Sequence, residues 1–89
     1  MAVTIRVEGT PNEHALKFTL NKPAIESGYK TYANAEAAEE SPVAKALFAL
    51  DGVDSVFLMA DFVTVNKKPE AKWDGLQEAA QAAIQAAYE

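Results

Sequence analysis

The sequence contains no cysteine at all. This absence excludes disulfides, a thiolate nucleophile, and zinc or iron–sulfur sites with protein thiolate ligands. No apolar run approaches the roughly 20 residues that a membrane-spanning helix needs. The start of the chain alternates like a strand and lacks the apolar region and cleavage site of a signal peptide. We therefore expect a cytoplasmic protein with no membrane partner.

Basic residues are also scarce, because 8 lysines and arginines face 13 acidic residues and the formal net charge is -5. This charge disfavours nonspecific attraction to nucleic acid. The chain has 89 residues, of which 49% are hydrophobic. Such a composition is typical of a folded protein, and the length predicts a single domain over residues 1–89 with one two-layer core.

Two strand pairs follow from period-two alternation of apolar and polar residues. Residues 3–8 and 16–20 alternate in this way, and the turn-forming segment 9–14 between them predicts a hairpin with a long loop. Val56, Leu58, Val63 and Val65 predict a second hairpin with a tight turn at residues 60–61. Four strands are therefore predicted.

Two helices are predicted from their capping residues and apolar spacing. Ser41 suits the N-cap, Pro42 the first helical position and Gly52 a left-handed C-terminal cap, which predicts a helix from Pro42 to about residue 51. A final helix is predicted from about Trp73 to Tyr88. Between residues 21 and 40 the pattern dissolves, although 29–32 is compatible with a short strand and Asn34 with the cap of a short helix.

The predicted order is ββαββα. It indicates an α+β two-layer sandwich, in which two helices cover one face of a largely antiparallel four-stranded sheet. The other sheet face would remain open, and alternation places on it Thr4, Arg6, Lys17, Thr19, Phe57, Met59, Phe62 and Thr64. A mixture of basic, hydroxyl and large apolar groups predicts a binding surface there.

No set of residues has the pattern of a catalytic or metal site. His14 is the single histidine and has no cysteine partner, so it is interpreted as a loop residue. Asp51, Asp54 and Asp61 crowd one end of the apolar stretch from Ser41 to Lys67. Their spacing differs from a calcium-binding loop, and Asp51 and Asp61 suit a helix end and a turn. We therefore predict no catalytic residue, no bound metal and no cofactor.

Several segments carry a family resemblance. They are Thr10-Pro11-Asn12, Ala15-Leu16-Lys17-Phe18, Ser41-Pro42-Val43-Ala44-Lys45-Ala46-Leu47-Phe48, Asp51-Gly52-Val53, Ser55-Val56-Phe57, Asp61-Phe62-Val63-Thr64-Val65 and Trp73. Through them the chain resembles the N-terminal domain of the Nfu/NifU-like iron–sulfur cluster scaffold proteins. In that family the domain is joined to a second domain whose Cys-x-x-Cys motif holds the cluster. Because this chain has no cysteine, the resemblance transfers cluster binding to none of its residues.

The resemblance implies a stand-alone, single-domain accessory module that is not an enzyme and that binds a protein partner of iron–sulfur biogenesis. The candidate binding residues are Arg6, Thr10, Asn12, Lys17, Phe57 and Phe62. An alternative is a binding module for a phosphorylated peptide or a nucleic-acid ligand on the open face. There the basic side chains would meet phosphate and the aromatic rings would supply a stacking surface.

Overall fold

The computed structural model describes residues 3–25 and 28–88. Residues 1, 2, 26, 27 and 89, which fall within the predicted domain, lie outside the described part. In chain order the elements are β1 (Ile5–Gly9), β2 (Ala15–Leu20), β3 (Tyr29–Tyr32), α1 (Ala35–Ala38), α2 (Pro42–Phe48), β4 (Val53–Met59), β5 (Phe62–Lys67) and α3 (Trp73–Tyr88). The predicted α+β class is confirmed. The predicted count of four strands and two helices is wrong, since the described ranges contain five strands and three helices.

The five strands form one antiparallel sheet in the order β1-β2-β5-β4-β3. Strand β2 lies between β1, its partner in the first hairpin, and β5, which belongs to the second hairpin. Phe18 of β2 therefore pairs with Val7 of β1 on one side and with Val63 of β5 on the other. A register shift between Val53 and Ser55 marks the start of β4. Both predicted hairpins are present in this register.

Strand β3 and helix α1 are absent from the predicted order ββαββα, but they lie where residues 29–32 are compatible with a short strand and Asn34 with the cap of a short helix. Strand β3 has only four residues, of which Tyr32 alone is buried, and it is held by antiparallel pairing of that tyrosine with Val56. In α1 the side chain of Asn34 accepts a hydrogen bond from the backbone N–H of Ala37 at 2.8 Å, and Ala38 is buried. Neither element is long enough for apolar periodicity to reveal it.

Helix α2 begins as its sequence predicts. The Ser41 hydroxyl accepts a hydrogen bond from the backbone N–H of Ala44 at 3.3 Å, and Pro42 occupies the first turn. The helix ends at Phe48, before the predicted end at about residue 51. Gly52 does have a positive φ of 98°, but it forms the turn into β4 instead of capping α2 directly.

Helix α3 has an irregular first turn. Asp74 has a ψ of 115° and Gly75 a φ of 78°, so the regular helix follows Gly75. Its buried residues Leu76, Ala80 and Ile84 recur every four positions and therefore lie on one face of the helix. Within the described ranges, no helix combines the length and the apolar character that crossing a membrane requires.

The core lies between the helices and one face of the sheet. Its largest fully buried side chains are Phe18, Leu47, Ile84, Val56, Val63 and Val65. Four of them come from strands β2, β4 and β5 and point to the same face, while Leu47 comes from α2 and Ile84 from α3. Full burial of one such side chain contributes roughly 1.5–3 kcal/mol. The helices therefore cover this face of the sheet and leave the opposite face uncovered.

Candidate interaction surface

The sheet face directed away from the core, here called the open face, carries two rows of side chains fixed by the strand register. One row is Arg6, Thr19, Phe62, Met59 and Tyr29, and the other is Glu8, Lys17, Thr64, Phe57 and Thr31. Each row crosses all five strands. Of the residues predicted for this face, all but Thr4 belong to these rows, and Thr4 lies just before β1. The composition of the predicted face is thus confirmed by the register.

Three aromatic rings and one ammonium group form a continuous strip across the open face. The ring centroids of Tyr29 and Phe57 are 5.9 Å apart, and those of Phe57 and Phe62 are 6.2 Å apart. The Nζ atom of Lys17 lies 4.5 Å from the Phe62 ring centroid, within cation–π range. We call Tyr29, Phe57, Phe62 and Lys17 the aromatic strip. It crosses β3, β4, β5 and β2.

Two members of the open face were missing from the set of candidate binding residues. Tyr29 is 66% exposed and Met59 is 43% exposed, and they are the exposed large hydrophobic residues of the described chain. They pair with each other across β3 and β4. Recognition of 29–32 as a strand would have placed Tyr29 on the same face as Met59, because the register then fixes which side chains are opposite.

The cations of the open face lie towards β1 and β2. Among residues 3–25 and 28–88, no carboxylate oxygen lies within 4.0 Å of the side-chain nitrogens of Arg6 or Lys17. Glu8, the acidic residue of the two rows, accepts a hydrogen bond from the Thr19 hydroxyl at 3.4 Å instead. The open face is therefore aromatic towards β3 and carries a net charge of about +1 across β1 and β2, where Arg6 and Lys17 outnumber Glu8, although the whole chain is acidic.

Thr10 and Asn12 lie apart from the strip, in the loop between β1 and β2. The Thr10 hydroxyl donates towards the backbone oxygens of Asn12 and Ala15, at 2.8 and 3.1 Å, and accepts from the backbone N–H of Asn12 at 3.1 Å. The Asn12 side chain accepts from the backbone N–H of His14 at 2.9 Å. These bonds stabilise the turn and give both side chains a local structural role. Of the six candidate binding residues, the structure therefore places four on the open face and leaves Thr10 and Asn12 outside it. The four are Arg6, Lys17, Phe57 and Phe62.

His14 and Lys67 make a contact that the sequence did not reveal. The Lys67 residue is only 9% exposed, and its Nζ lies 3.1 Å from His14 Nδ1. An ammonium group only donates, so the imidazole accepts at Nδ1 and carries its proton on Nε2. The Nε2 atom lies 4.0 Å from the Glu13 carboxylate. The backbone oxygen of Glu13 also accepts a hydrogen bond from Trp73 Nε1 at 3.1 Å. The loop before β2 is thereby joined to the end of β5 and the start of α3.

No metal-binding group is formed by the acidic residues. Within the described parts of the chain, no three His, Cys, Asp or Glu side chains are grouped so that they could hold a metal ion. Asp51 precedes β4 and Asp61 follows it, so the expectation that these aspartates crowd one end is wrong. A cleft of about 530 Å³ lies on the helical side between Leu50 and Ala79. Its lining contains both acidic and basic residues, but it has no histidine and no hydroxyl group.

Two buried or half-buried tyrosines lie at the edge of the core. The Tyr88 hydroxyl donates to the backbone oxygen of Ala24 at 2.6 Å, and the Tyr32 hydroxyl donates to the Glu40 carboxylate at 3.4 Å. Burial raises the pKa of Tyr32, and the nearby Glu40 charge raises it further. Burial likewise raises the pKa of Tyr88. Both phenols therefore remain protonated over the physiological range, and their role is structural.

Comparisons with known proteins agree with this fold. A family model described as the N terminal of the scaffold protein Nfu/NifU matches residues 5–89. NifU-like protein 5, mitochondrial, of Arabidopsis thaliana is 45% identical over 73 residues, which cover 82% of this chain and 26% of the relative. The human NFU1 iron-sulfur cluster scaffold homolog, mitochondrial, is 42% identical over 66 residues, covering 74% and 26%. The solution NMR structure of a NifU-like protein from Saccharomyces cerevisiae matches with a TM-score of 0.82 at 27% identity, covering 99% of this chain and 82% of that one.

The matched relatives differ from this chain in two respects. The chain spans about a quarter of the length of the two relatives described. The names of both relatives place them in mitochondria, whereas the amino-acid sequence led us to expect a cytoplasmic protein. A cytoplasmic location for this chain remains a prediction.

Proposed function

Because the chain belongs to the Nfu/NifU N-terminal scaffold family, we propose that it is a non-catalytic accessory module of iron–sulfur cluster assembly. In this proposal the module binds a protein of iron–sulfur biogenesis through the open face and holds no cluster itself. It forms one domain over residues 1–89.

The observation that carries the proposal is the aromatic strip, in which Tyr29 is exposed and Phe57 and Phe62 are half-buried. Tyr29 is 66% exposed and packs on Phe57, so large apolar area remains in contact with water on a sheet face that no helix of the described chain covers. Exposed apolar patches flanked by polar groups are typical of protein interaction sites. Aromatic rings are also enriched among the residues that contribute most to binding. The open face therefore has the composition of a docking surface.

The absence of cysteine supports a role without a cluster. Iron–sulfur clusters are held mainly by thiolates, and the sequence has none to offer. The human relative is named as a cluster scaffold homolog, and the matched region covers 26% of it. In such a relative, the cluster could be bound by the part of the protein outside the matched region. The matched region would then have an accessory role.

Binding to purified iron–sulfur assembly proteins, measured by titration calorimetry, tests this proposal. The triple variant Arg6→Ala/Lys17→Ala/Phe62→Ala removes both cations and one ring of the open face, and we expect it to lose binding. Lys45→Ala is the matched control, because Lys45 is an exposed lysine on α2, on the helical side. Circular dichroism must show that both variants keep the native fold. Unchanged affinity of the folded triple variant would refute the choice of face.

A further inference from the structure

We infer that the partner element received by the open face is an amphipathic α-helix with carboxylates at one end, lying across the strands. This inference rests on the proposed function, because it specifies the kind of partner that the same surface binds. Three properties of the surface carry it: its length, its lack of free backbone groups and its charge distribution.

The length of the surface matches a short helix. The aromatic strip and Arg6 together reach from β3 to β1, across all five strands. Neighbouring strands lie about 4.8 Å apart, so this distance is roughly 19 Å. A helix rises about 1.5 Å per residue, and about 13 residues therefore span it. Helices of this length are common in proteins.

The lack of free backbone groups favours a helix over an extended peptide. On the sheet face the backbone N–H and C=O groups of β2, β4 and β5 are directed to neighbouring strands on both sides. An extended peptide lying across them would leave its own backbone groups without partners, which is costly when they are buried. A helix satisfies its backbone internally. Helices α2 and α3 already pack on the opposite face of this sheet, so packing a helix against a sheet is a mode that this fold uses.

The charge distribution determines what the helix carries. Lys17 and Arg6 have no carboxylate within 4.0 Å among the described residues, and the two cations outnumber Glu8, the register partner of Lys17, so this end of the surface offers one net positive charge to a partner. Tyr29, Met59 and Phe57 at the other end of the surface offer apolar contacts. A complementary helix therefore has an apolar stripe over β3 and β4 and carboxylates over β2 and β1. The charge gradient also sets which end of the helix lies over which strand.

Two other occupants fit the observations less well. A second copy placed face to face with like ends together would bring the Lys17 and Arg6 cations of both copies close to each other. With opposite ends together, those cations would meet Tyr29, Met59 and Phe57, an end of the two rows that holds no carboxylate. A nucleic acid would meet these two cations but would be repelled by the net charge of -5. Each of them is included in the test as an outcome that overturns the inference.

The experiment titrates the full chain with synthetic helical peptides of about 13 residues and follows amide chemical shifts by NMR. The acidic peptide has a leucine stripe and glutamates at one end, and a matched peptide has lysines in place of the glutamates. We expect the acidic peptide to bind about tenfold more tightly, with shifts confined to the open face. Lys17→Glu/Arg6→Glu should reverse this preference, while Lys45→Glu, on the helical side, should leave it unchanged.

Several results would overturn the inference. They are equal affinity for the two peptides, a preference that survives the double charge reversal, tighter binding of a phosphorylated peptide or a single-stranded oligonucleotide, and self-association of the unmodified chain through the open face. The proposed function is judged separately by calorimetry with the assembly proteins. If their binding depends on Arg6, Lys17 and Phe62 while the acidic peptide does not bind, the helix inference is wrong and the proposed function stands. If neither depends on the open face, both are wrong.

Discussion

Gly52→Ala tests the turn between α2 and β4, where backbone conformation and packing both require glycine. Gly52 has a φ of 98°, a value that residues with a side chain rarely adopt. A Cβ atom at this position would lie 2.8 Å from the Cβ of Ala71. Because Lys68 donates its backbone N–H to the Gly52 oxygen at 2.7 Å, the turn cannot move away without losing that bond.

Two costs add in this variant. A non-glycine residue at such a φ costs about 1–3 kcal/mol, and an overpacked site costs about 1–3 kcal/mol more. We therefore expect Gly52→Ala to lower the free energy of unfolding by about 2–6 kcal/mol. An 89-residue protein has a total stability of about 4–13 kcal/mol, so this loss is a large fraction of the total.

Urea denaturation followed by circular dichroism measures the effect, and the other glycines provide controls. Gly75 also has a positive φ, of 78°, but a Cβ there would contact nothing within 4 Å, so Gly75→Ala should show only the backbone cost. Gly9→Ala has equally open space and should be nearly neutral. In the double variant Gly52→Ala/Ala71→Gly the clash is removed and stability should be partly recovered. A Gly52→Ala protein no less stable than Gly75→Ala would refute the packing argument.

Two further predictions concern pH and capping. Because burial raises the pKa of Tyr32 and Tyr88 above the ordinary value of 10.0, their contribution to the free energy of unfolding should be fully present below pH 10 and be lost as pH rises through the folded-state values. Tyr32→Phe and Tyr88→Phe should each reduce that decline in alkaline denaturation experiments. Ser41→Ala removes the hydroxyl that accepts from the Ala44 N–H and should cost about 1 kcal/mol in thermal unfolding, whereas Ser41→Gly should cost only about a few tenths of a kcal/mol.

Strong local patterns made most of the fold predictable. The valines of β4 and β5 alternate over enough residues to identify both strands, and Ser41 and Pro42 identify the start of α2. Strand β3 was harder to predict, because three of its four residues are exposed and apolar residues do not alternate with polar ones along it. Its strand conformation is fixed by antiparallel pairing with β4. The end of α2 was misplaced because Gly52 serves a turn and not a helix cap.

The candidate site was predictable in composition but not in arrangement. Alternation alone placed Phe57, Phe62, Lys17 and Arg6 on one face. The order of the strands, which puts β2 beside β5, is a tertiary property, and it determines that Lys17 meets Phe62. Contacts between distant segments, such as Lys67 with His14, depend on that order in the same way and leave no periodic pattern in the sequence.

The pairing of β2 with β5 has a consequence for how the chain folds. It lies near the centre of the sheet but joins distant parts of the sequence, since Phe18 pairs with Val63, whereas both hairpins close short loops. Closing a long loop costs entropy before its contacts are gained, so we expect this seam to form late. The Lys17–Phe62 contact crosses the same seam. A complete aromatic strip is therefore displayed only by a finished fold, and a partner that needs the whole strip discriminates against incompletely folded chains.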